Sequence, residues 1–208
     1  MRPLSRPVTW LESQTRGMLV VTGPAGTGKT ALLARLALLS VPRIREGLRP
    51  PPPAQTRPRA GSVHAALACQ GESARSLARS PLEVLVPLGA APPGPDGSTP
   101  EQCVHQVREL VRRVGGLNLV VDSLDEAMPG QAHEIARRLL NPLSHCPGVK
   151  LLVGTRPQPR QGVDGASKES LVDARRTEPL SGRELDAFIE TGGGDPLTEL
   201  DPAFSQVR

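Results

Sequence analysis

Short, continuous apolar runs alternate along the chain with segments in which apolar residues recur at helical spacing. Runs over 17–22, 117–122 and 149–155 have the length of buried strands. A weaker run over 62–69 predicts another strand, and 171–174 predicts a short fifth one. Continuous hydrophobicity is typical of parallel strands that are covered on both faces. With helices between the strands, the pattern predicts an α/β fold: a three-layer α/β/α sandwich around a mainly parallel sheet of about five strands.

Helices are predicted in the connections between these strands. They cover residues 8–16, 31–40, 71–80, 99–114 and 131–140, with one more beginning at Ser181. The clearest start is Thr99, a capping residue followed by Pro100 in the first helical position and by Gln102, which closes a capping box. Asn141–Pro142 is expected to end its helix, because the residue before a proline disfavours helical geometry.

Composition suggests how the chain is organised. Residues 1–16 are predicted to be a lead-in helix, 17–191 the main domain and 192–208 a flexible tail. Within the main domain, the proline-rich segment 48–61 is expected to be extended and exposed, because consecutive prolines favour a solvated polyproline conformation. The glycine- and proline-rich segment 89–98 is expected to be a loop.

The connection after the first strand carries the most specific motif. Residues 23–30 have the spacing G-x-x-x-x-G-K-[ST] of a phosphate-binding P-loop, between an apolar strand and a helix as the motif requires. Glycines let backbone N–H groups converge on a phosphate, and the helix N-terminus adds positive charge. Lys29 is expected to reach the β- and γ-phosphates, and the Thr30 hydroxyl to bind Mg²⁺. The residues expected to contact nucleotide are Gly23, Pro24, Ala25, Gly26, Thr27, Gly28, Lys29 and Thr30.

Three carboxylates follow the strand over 117–122. Asp122 closes that strand, where open α/β sheets bind ligands, and is expected to hold Mg²⁺. Asp125 and Glu126 come three and four residues later and can orient or deprotonate an attacking water. The alternative is that these two acids only favour a helix N-terminus.

The strand over 149–155 ends in Thr155 and Arg156. Polar groups at this strand end can contact the γ-phosphate, and Pro157 stops the strand. The alternative is a solvated arginine at a strand end, since arginine is abundant in this chain.

The three motifs in this order resemble the STAND class of P-loop ATPases, in particular its NACHT-like members. The resemblance covers roughly 8–191, and Ser123 is the small residue of the class pattern Asp–small–x–Asp–Glu. AAA-type and origin-recognition-like ATPases are near relatives that usually carry Asp and Glu adjacent at this strand end, unlike this chain.

The resemblance implies a catalytic apparatus and several partners. It implies that the P-loop lysine and threonine contact ATP and Mg²⁺, that Asp122 binds Mg²⁺, and that Asp125 or Glu126 lies near the attacking water. Arg156 is implied as the sensor of the γ-phosphate. Relatives continue into a winged-helix region and a repeat or sensor domain, so a protein partner or self-association is expected to supply that surface.

Composition narrows the partners further. The net charge is +4, the arginines are scattered, and one Trp, two Phe and no Tyr leave few rings to stack bases, so the composition disfavours nucleic-acid binding. No apolar stretch has the length of a membrane span, and no signal peptide begins the chain, so a cytoplasmic protein is expected. The cysteines Cys69, Cys103 and Cys146 show no metal or disulfide spacing and are expected to be buried thiols.

The sequence therefore predicts an ATP-binding module with slow Mg²⁺-dependent hydrolysis, used as a conformational switch in signalling. A non-hydrolysing nucleotide-binding scaffold, or a truncated relative of a larger STAND protein, is the alternative. A P-loop kinase is a third hypothesis, disfavoured because 156–176 is too rich in glycine and serine for an arginine-bearing lid.

Overall fold

Four parallel strands form one sheet in the computed structural model, which describes residues 4–88 and 99–156. The strands are β1 Gly17–Thr22, β2 Ala65–Ala68, β3 Leu117–Asp122 and β4 Val149–Thr155. They lie in the order β1-β4-β3-β2, and all three pairings are parallel. The apolar runs thus predict three strands to the residue, and β2 is shorter than its run. The predicted strand over 171–174, the loop over 89–98 and the helix from Ser181 lie outside the described residues.

Helices cover both faces of this sheet. They are α1 Ser5–Ser13, α2 Lys29–Ser40, α3 Pro42–Gly47, α4 Ala74–Leu85, α5 Pro100–Val114, α6 Gln131–Ile135 and α7 Asn141–Ser144. Apolar side chains of α1 and α2 form one core with one face of the sheet, and those of α4 to α7 form a second core with the other face. The fold is therefore a three-layer α/β/α sandwich, as the sequence predicts.

Successive residues of one strand show why the strands are continuously apolar. Met18 and Val20 of β1 belong to the core beneath α4 to α7, whereas Leu19 and Val21 belong to the core beneath α1 and α2. Neighbouring side chains of a strand point to opposite faces, so a sheet covered on both faces needs apolar residues at every position.

The strand order places the candidate motifs at one edge of the sheet. Since the strands are parallel, their carboxyl ends lie together, and β4 lies between β1 and β3. The P-loop follows β1, Asp122 ends β3, and Arg156 follows β4. Three motifs that are far apart in sequence therefore meet at the edge where α/β sheets bind ligands.

One helix runs past its predicted end at residue 80, and another passes through a proline that the sequence predicts as its boundary. α4 continues through Pro81 to Leu85, and the helix expected to end at Asn141–Pro142 continues as α7, so that prediction was wrong. Residues Ala136–Leu140 form a π-helical turn in which the Asn141 N–H donates to the Ala136 carbonyl. A widened turn relieves the clash between a proline ring and the carbonyl four residues earlier.

The proline-rich segment also differs from its prediction. α3 comes before it, and within it Ala54–Thr56 form a short 3₁₀ turn. Pro52, Thr56 and Pro58 are buried, so the segment is only partly exposed. Thr56 donates a hydrogen bond to the Pro53 carbonyl at 2.8 Å, which helps to hold the turn. Proline excludes regular helix and strand but still permits packing against the domain.

The lead-in helix is also shifted along the chain. It spans Ser5–Ser13 rather than 8–16, and Leu4, Val8 and Leu11 bury its apolar side. The Lys150 ammonium of β4 donates to the Leu11 carbonyl, which ties the helix to the sheet.

A histidine just before β2, exposed overall but hydrogen-bonded through one ring nitrogen, makes stability depend on pH. The His64 Nδ1 accepts a hydrogen bond from the Asn118 N–H at 2.9 Å, so the bond requires the neutral ring. Burial, assisted by the positive charge of Lys150, lowers the pKa of His64 below its ordinary value. We expect the stabilisation from this hydrogen bond to be complete above pH ~6.5, the pKa of histidine in the unfolded chain. It should be lost as the pH falls through the lower pKa of His64 in the folded protein.

Urea unfolding of the wild type and His64→Gln at pH 7.5 and pH 5 tests this expectation. The wild type should lose more stability on acidification than the variant. Equal losses would show that His64 does not titrate differently in the two states.

Candidate nucleotide-binding site

The P-loop turns sharply between β1 and α2. Gly26 and Gly28 have φ of 77° and 78°, in the left-handed region that side chains other than glycine rarely adopt. Gly28 is the residue before α2, and its carbonyl accepts the N–H of Leu32 at 2.9 Å. The two glycines are therefore needed for the path of the backbone that leads into the helix.

A cleft of about 310 Å³ lies above this loop at the carboxyl edge of the sheet. Its walls are Ala25, Gly26, Thr27, Gly28, Lys29, Thr30, Ala31, Asp122, Ser123, Asp125, Glu126 and Arg156. Most of the residues predicted for the site thus share one cleft. Gly23 and Pro24 do not line the cleft, but their carbonyls accept hydrogen bonds from the Lys29 ammonium. Thr155 is buried, and its hydroxyl donates a hydrogen bond to the Arg156 carbonyl.

The Lys29 ammonium folds back onto its own loop. Its Nζ donates to the carbonyls of Gly23 at 2.7 Å and Pro24 at 2.9 Å. Burial lowers the pKa of Lys29, while the negative charges of Asp125, Asp122 and Glu126 oppose that shift. The ammonium is thus half-buried beside three carboxylates, with its protons donated to backbone carbonyls that a phosphate could replace.

The residues after β3 turn immediately, which explains the spacing of the carboxylates. Ser123 has φ of 56°, in the left-handed region, and the 3₁₀ turn Leu124–Glu126 follows. Leu124 is fully buried and anchors the turn, so Asp125 and Glu126 return to the cleft beside Asp122. A small polar residue at position 123 tolerates this backbone better than a β-branched one.

Arg156 bridges the two acids of this turn. Its backbone N–H donates to Asp125 Oδ1 at 2.8 Å, its Nε lies 3.1 Å from Asp125 Oδ2, and one terminal nitrogen lies 2.6 Å from Glu126 Oε1. The Asp125 side chain is 15% exposed and that of Arg156 is 49% exposed. The sequence predicts each of these residues near the γ-phosphate but does not predict that they pair with one another.

Gly154 is the residue of the site that sequence reasoning missed. It lies in β4 directly beneath the Asp122 carboxylate. Its signal was a glycine inside an otherwise apolar strand, which often marks a close approach of another group.

Other features bear on metals and membranes. Cys69, Cys103 and Cys146 are free and buried, as predicted, and burial raises the pKa of Cys69 and Cys103 to about 12. Within 4–88 and 99–156, no three His, Cys, Asp or Glu side chains gather as a metal-binding group. No helix in those ranges is long and apolar enough to span a membrane.

The fold and the P-loop define the class, which is the P-loop NTPases. The profile of the AAA domain family matches residues 12–161, well over half of the chain, so the chain belongs to the AAA domain family. No curated protein matches it significantly in sequence. The finer STAND and NACHT-like assignment stays a prediction.

Two solved structures are similar to this chain. One is the structure of Drosophila ORC bound to GC-rich DNA and Cdc6, with 13% identity, a TM-score of 0.44 and coverage of 74% of this chain and 45% of that chain. The other is Drosophila ORC bound to AT-rich DNA and Cdc6, with 12% identity, a TM-score of 0.48 and coverage of 86% and 52%. This chain spans about half the length of the chains that it matches.

Proposed function

We propose that this chain is an ATP-binding module that hydrolyses ATP slowly with Mg²⁺ and acts as a conformational switch in signalling. The observation that carries the proposal is the bridge from Arg156 to Asp125 and Glu126 across the P-loop cleft. It connects the end of β4 to the turn after β3 through groups that a nucleotide phosphate can engage.

The residues of the cleft fit a nucleoside triphosphate with Mg²⁺. The P-loop presents a helix N-terminus and the Lys29 ammonium, both suited to phosphate. Thr30 and Asp122 supply a hydroxyl and a carboxylate, and Mg²⁺ is commonly held by one or two carboxylates together with phosphate oxygens. When bound, Mg²⁺ neutralises charge on the phosphates. The cleft is open, since Thr30 and the segment Pro24–Gly26 are exposed.

The bridge suggests how the site switches. Arg156 is held by two carboxylates, and a γ-phosphate offers its guanidinium a bidentate anionic partner in their place. If Arg156 turns to the phosphate, Asp125 and Glu126 are freed to orient the attacking water. After hydrolysis and loss of phosphate, Arg156 returns to the acids. Binding would thus change the contacts between the ends of β3 and β4, as in switches that depend on a γ-phosphate.

We further propose that the chain is of the STAND type and that a partner covers the nucleotide. Ser123, with its left-handed backbone, fits the small residue of the class pattern. The openness of the cleft supports a partner surface, from another protein or a second copy, that completes the site. In isolation the chain is expected to bind nucleotide weakly and to hydrolyse it slowly.

The same bridge favours a second candidate function, a nucleotide-binding scaffold that does not hydrolyse. If Asp125 and Glu126 remain paired with Arg156 when nucleotide is bound, they are structural and position no water. A turnover assay with saturating MgATP, with and without small phosphate acceptors, separates hydrolysis, scaffold and kinase.

Arg156→Ala is expected to reduce the preference for ATP over ADP by roughly 10- to 100-fold, because a lost hydrogen bond to a charged group costs about 1.5–3 kcal/mol. ADP affinity should change little, since ADP lacks the γ-phosphate. Calorimetric titrations of both nucleotides measure the ratio.

Arg112→Ala is a matched control, since Arg112 is an exposed arginine of α5 paired with Glu109. It should leave the ratio unchanged. If Arg156→Ala weakened ATP and ADP equally, Arg156 would not sense the γ-phosphate.

A further inference from the structure

We infer that Gly154 is a positioning residue that sets the direction of the Asp122 carboxylate. The inference rests on the proposed function, in which Asp122 holds Mg²⁺, and deepens it by naming what holds Asp122. Gly154 lies in β4, the strand between the P-loop strand and the strand that ends in Asp122.

Space, rather than backbone conformation, calls for glycine here. A Cβ built on Gly154 would lie 2.5 Å from Asp122 Oδ1 and 2.7 Å from Leu33 Cδ1, closer than real Cβ atoms approach other atoms. Gly154 is absent from the described glycines with left-handed φ. Its conformation is therefore open to any residue, and only the side chains above it exclude one.

The Asp122 carboxylate packs closely over Gly154. Among residues 4–88 and 99–156, the carboxylate accepts no hydrogen bond and forms no ion pair, in contrast to Asp125, which Arg156 binds. The positive charge of Lys29 attracts the Asp122 carboxylate electrostatically without a direct hydrogen bond. Because Gly154 has no Cβ, the Asp122 side chain has room to lie across β4.

This direction brings the carboxylate close to Leu33 of α2. Leu33 and the Asp122 carboxylate both border the vacant Cβ position of Gly154. Thr30 lies three residues before Leu33, so the two share one face of the helix. Thr30, the other proposed Mg²⁺ ligand, and Asp122 both line the same cleft. Gly154 brings the two ligands together without contacting the metal.

Gly154→Ala tests the inference through the Mg²⁺ dependence of nucleotide binding. A fluorescent ATP analogue is titrated with the full chain, first in EDTA and then at increasing Mg²⁺. We expect the variant to need ~10-fold more Mg²⁺ for half-maximal effect, while its affinity in EDTA stays within about twofold of the wild type. A purely structural role would lower both affinities together.

Gly148→Ala is the matched control at the other end of β4. A Cβ there would lie 2.7 Å from Val111 Cγ1, and the residue has φ of 80°, so this variant should lower the Tm. It precedes Gly154 by six positions, roughly 20 Å of extended chain. Its Mg²⁺ midpoint should match that of the wild type.

A thermal-unfolding cycle with Asp122→Ala keeps the inference testable if Gly154→Ala folds poorly. Removing the carboxylate should restore part of the Tm that Gly154→Ala loses, because one of the two overlapping groups is gone while Leu33 remains. No recovery in the double variant would overturn the inference.

The outcomes separate this inference from the proposed function. If the wild type binds the analogue in a Mg²⁺-dependent way and Gly154→Ala has the same midpoint, Gly154 has no positioning role and the proposed function stands. If the wild type does not bind, the proposed function fails and the inference fails with it.

Discussion

Replacing Lys29 with alanine is expected to abolish ATP binding. The Lys29 ammonium is the P-loop cation of the cleft, and it now donates to two backbone carbonyls that phosphate oxygens can replace. Two hydrogen bonds to charged oxygens, each worth about 1.5–3 kcal/mol, correspond to a loss of at least ~10²-fold in affinity. Isothermal titration calorimetry with MgATP measures it.

Lys150→Ala provides a matched control for that variant. Lys150 is also partly buried, burial also lowers its pKa, and its ammonium also donates to a backbone carbonyl. It lies near the start of β4, at the opposite edge of the sheet. It should leave ATP affinity unchanged even if it lowers stability. Unchanged ATP affinity in Lys29→Ala would refute the assignment of the cleft.

Glu126→Gln is expected to keep ATP bound and to lower turnover by ~10²-fold or more, the usual contribution of a positioned base. The substitution preserves shape, and the glutamine oxygen can still accept the Arg156 hydrogen bond, so the turn after β3 should persist. Turnover is measured as phosphate release under saturating MgATP. Asp122→Asn should instead weaken Mg²⁺-dependent binding, because it removes a proposed metal ligand.

Glu109→Gln is the control for this pair of variants, since Glu109 is an exposed acid of α5 remote from the cleft. Its turnover should equal that of the wild type. Wild-type turnover in Glu126→Gln would show that this carboxylate has no catalytic role, and loss of ATP binding would show that Glu126 supports the site structurally.

Much of the fold could be predicted because its strands are buried on both faces. Residues of β1, β3 and β4 are apolar at nearly every position, so each strand is distinct from the amphipathic helices around it. Thr99 and Gln102 predicted the start of α5, and both capping hydrogen bonds are present. Buried strands and helix caps depend on residues that are adjacent in the sequence, so they can be predicted from a single sequence.

The bridge in the cleft could not be predicted in the same way. It depends on β4 lying beside β3, which brings Arg156 to Asp125 and Glu126 although about thirty residues separate them. Strand order is a property of the whole sheet and has no local signature. The role of Gly154 is hidden for the same reason, since its neighbours come from β3 and α2.

Proline was the least reliable guide. Pro81 and Pro142 lie within helices, and Pro52 is buried in a segment that composition describes as exposed. Proline removes one N–H and fixes one angle, which bends or widens a helix without having to end it. Packing against the rest of the domain then decides the outcome.

The central claim, that the cleft binds a nucleoside triphosphate with Mg²⁺, is tested most directly by calorimetric titration of the wild-type chain with ATP in the presence of Mg²⁺ and in EDTA. The account predicts saturable binding at one site, stronger with Mg²⁺ than without it. Absence of binding by folded protein at ATP concentrations up to about 1 mM, the upper end of ordinary substrate ranges, would contradict it.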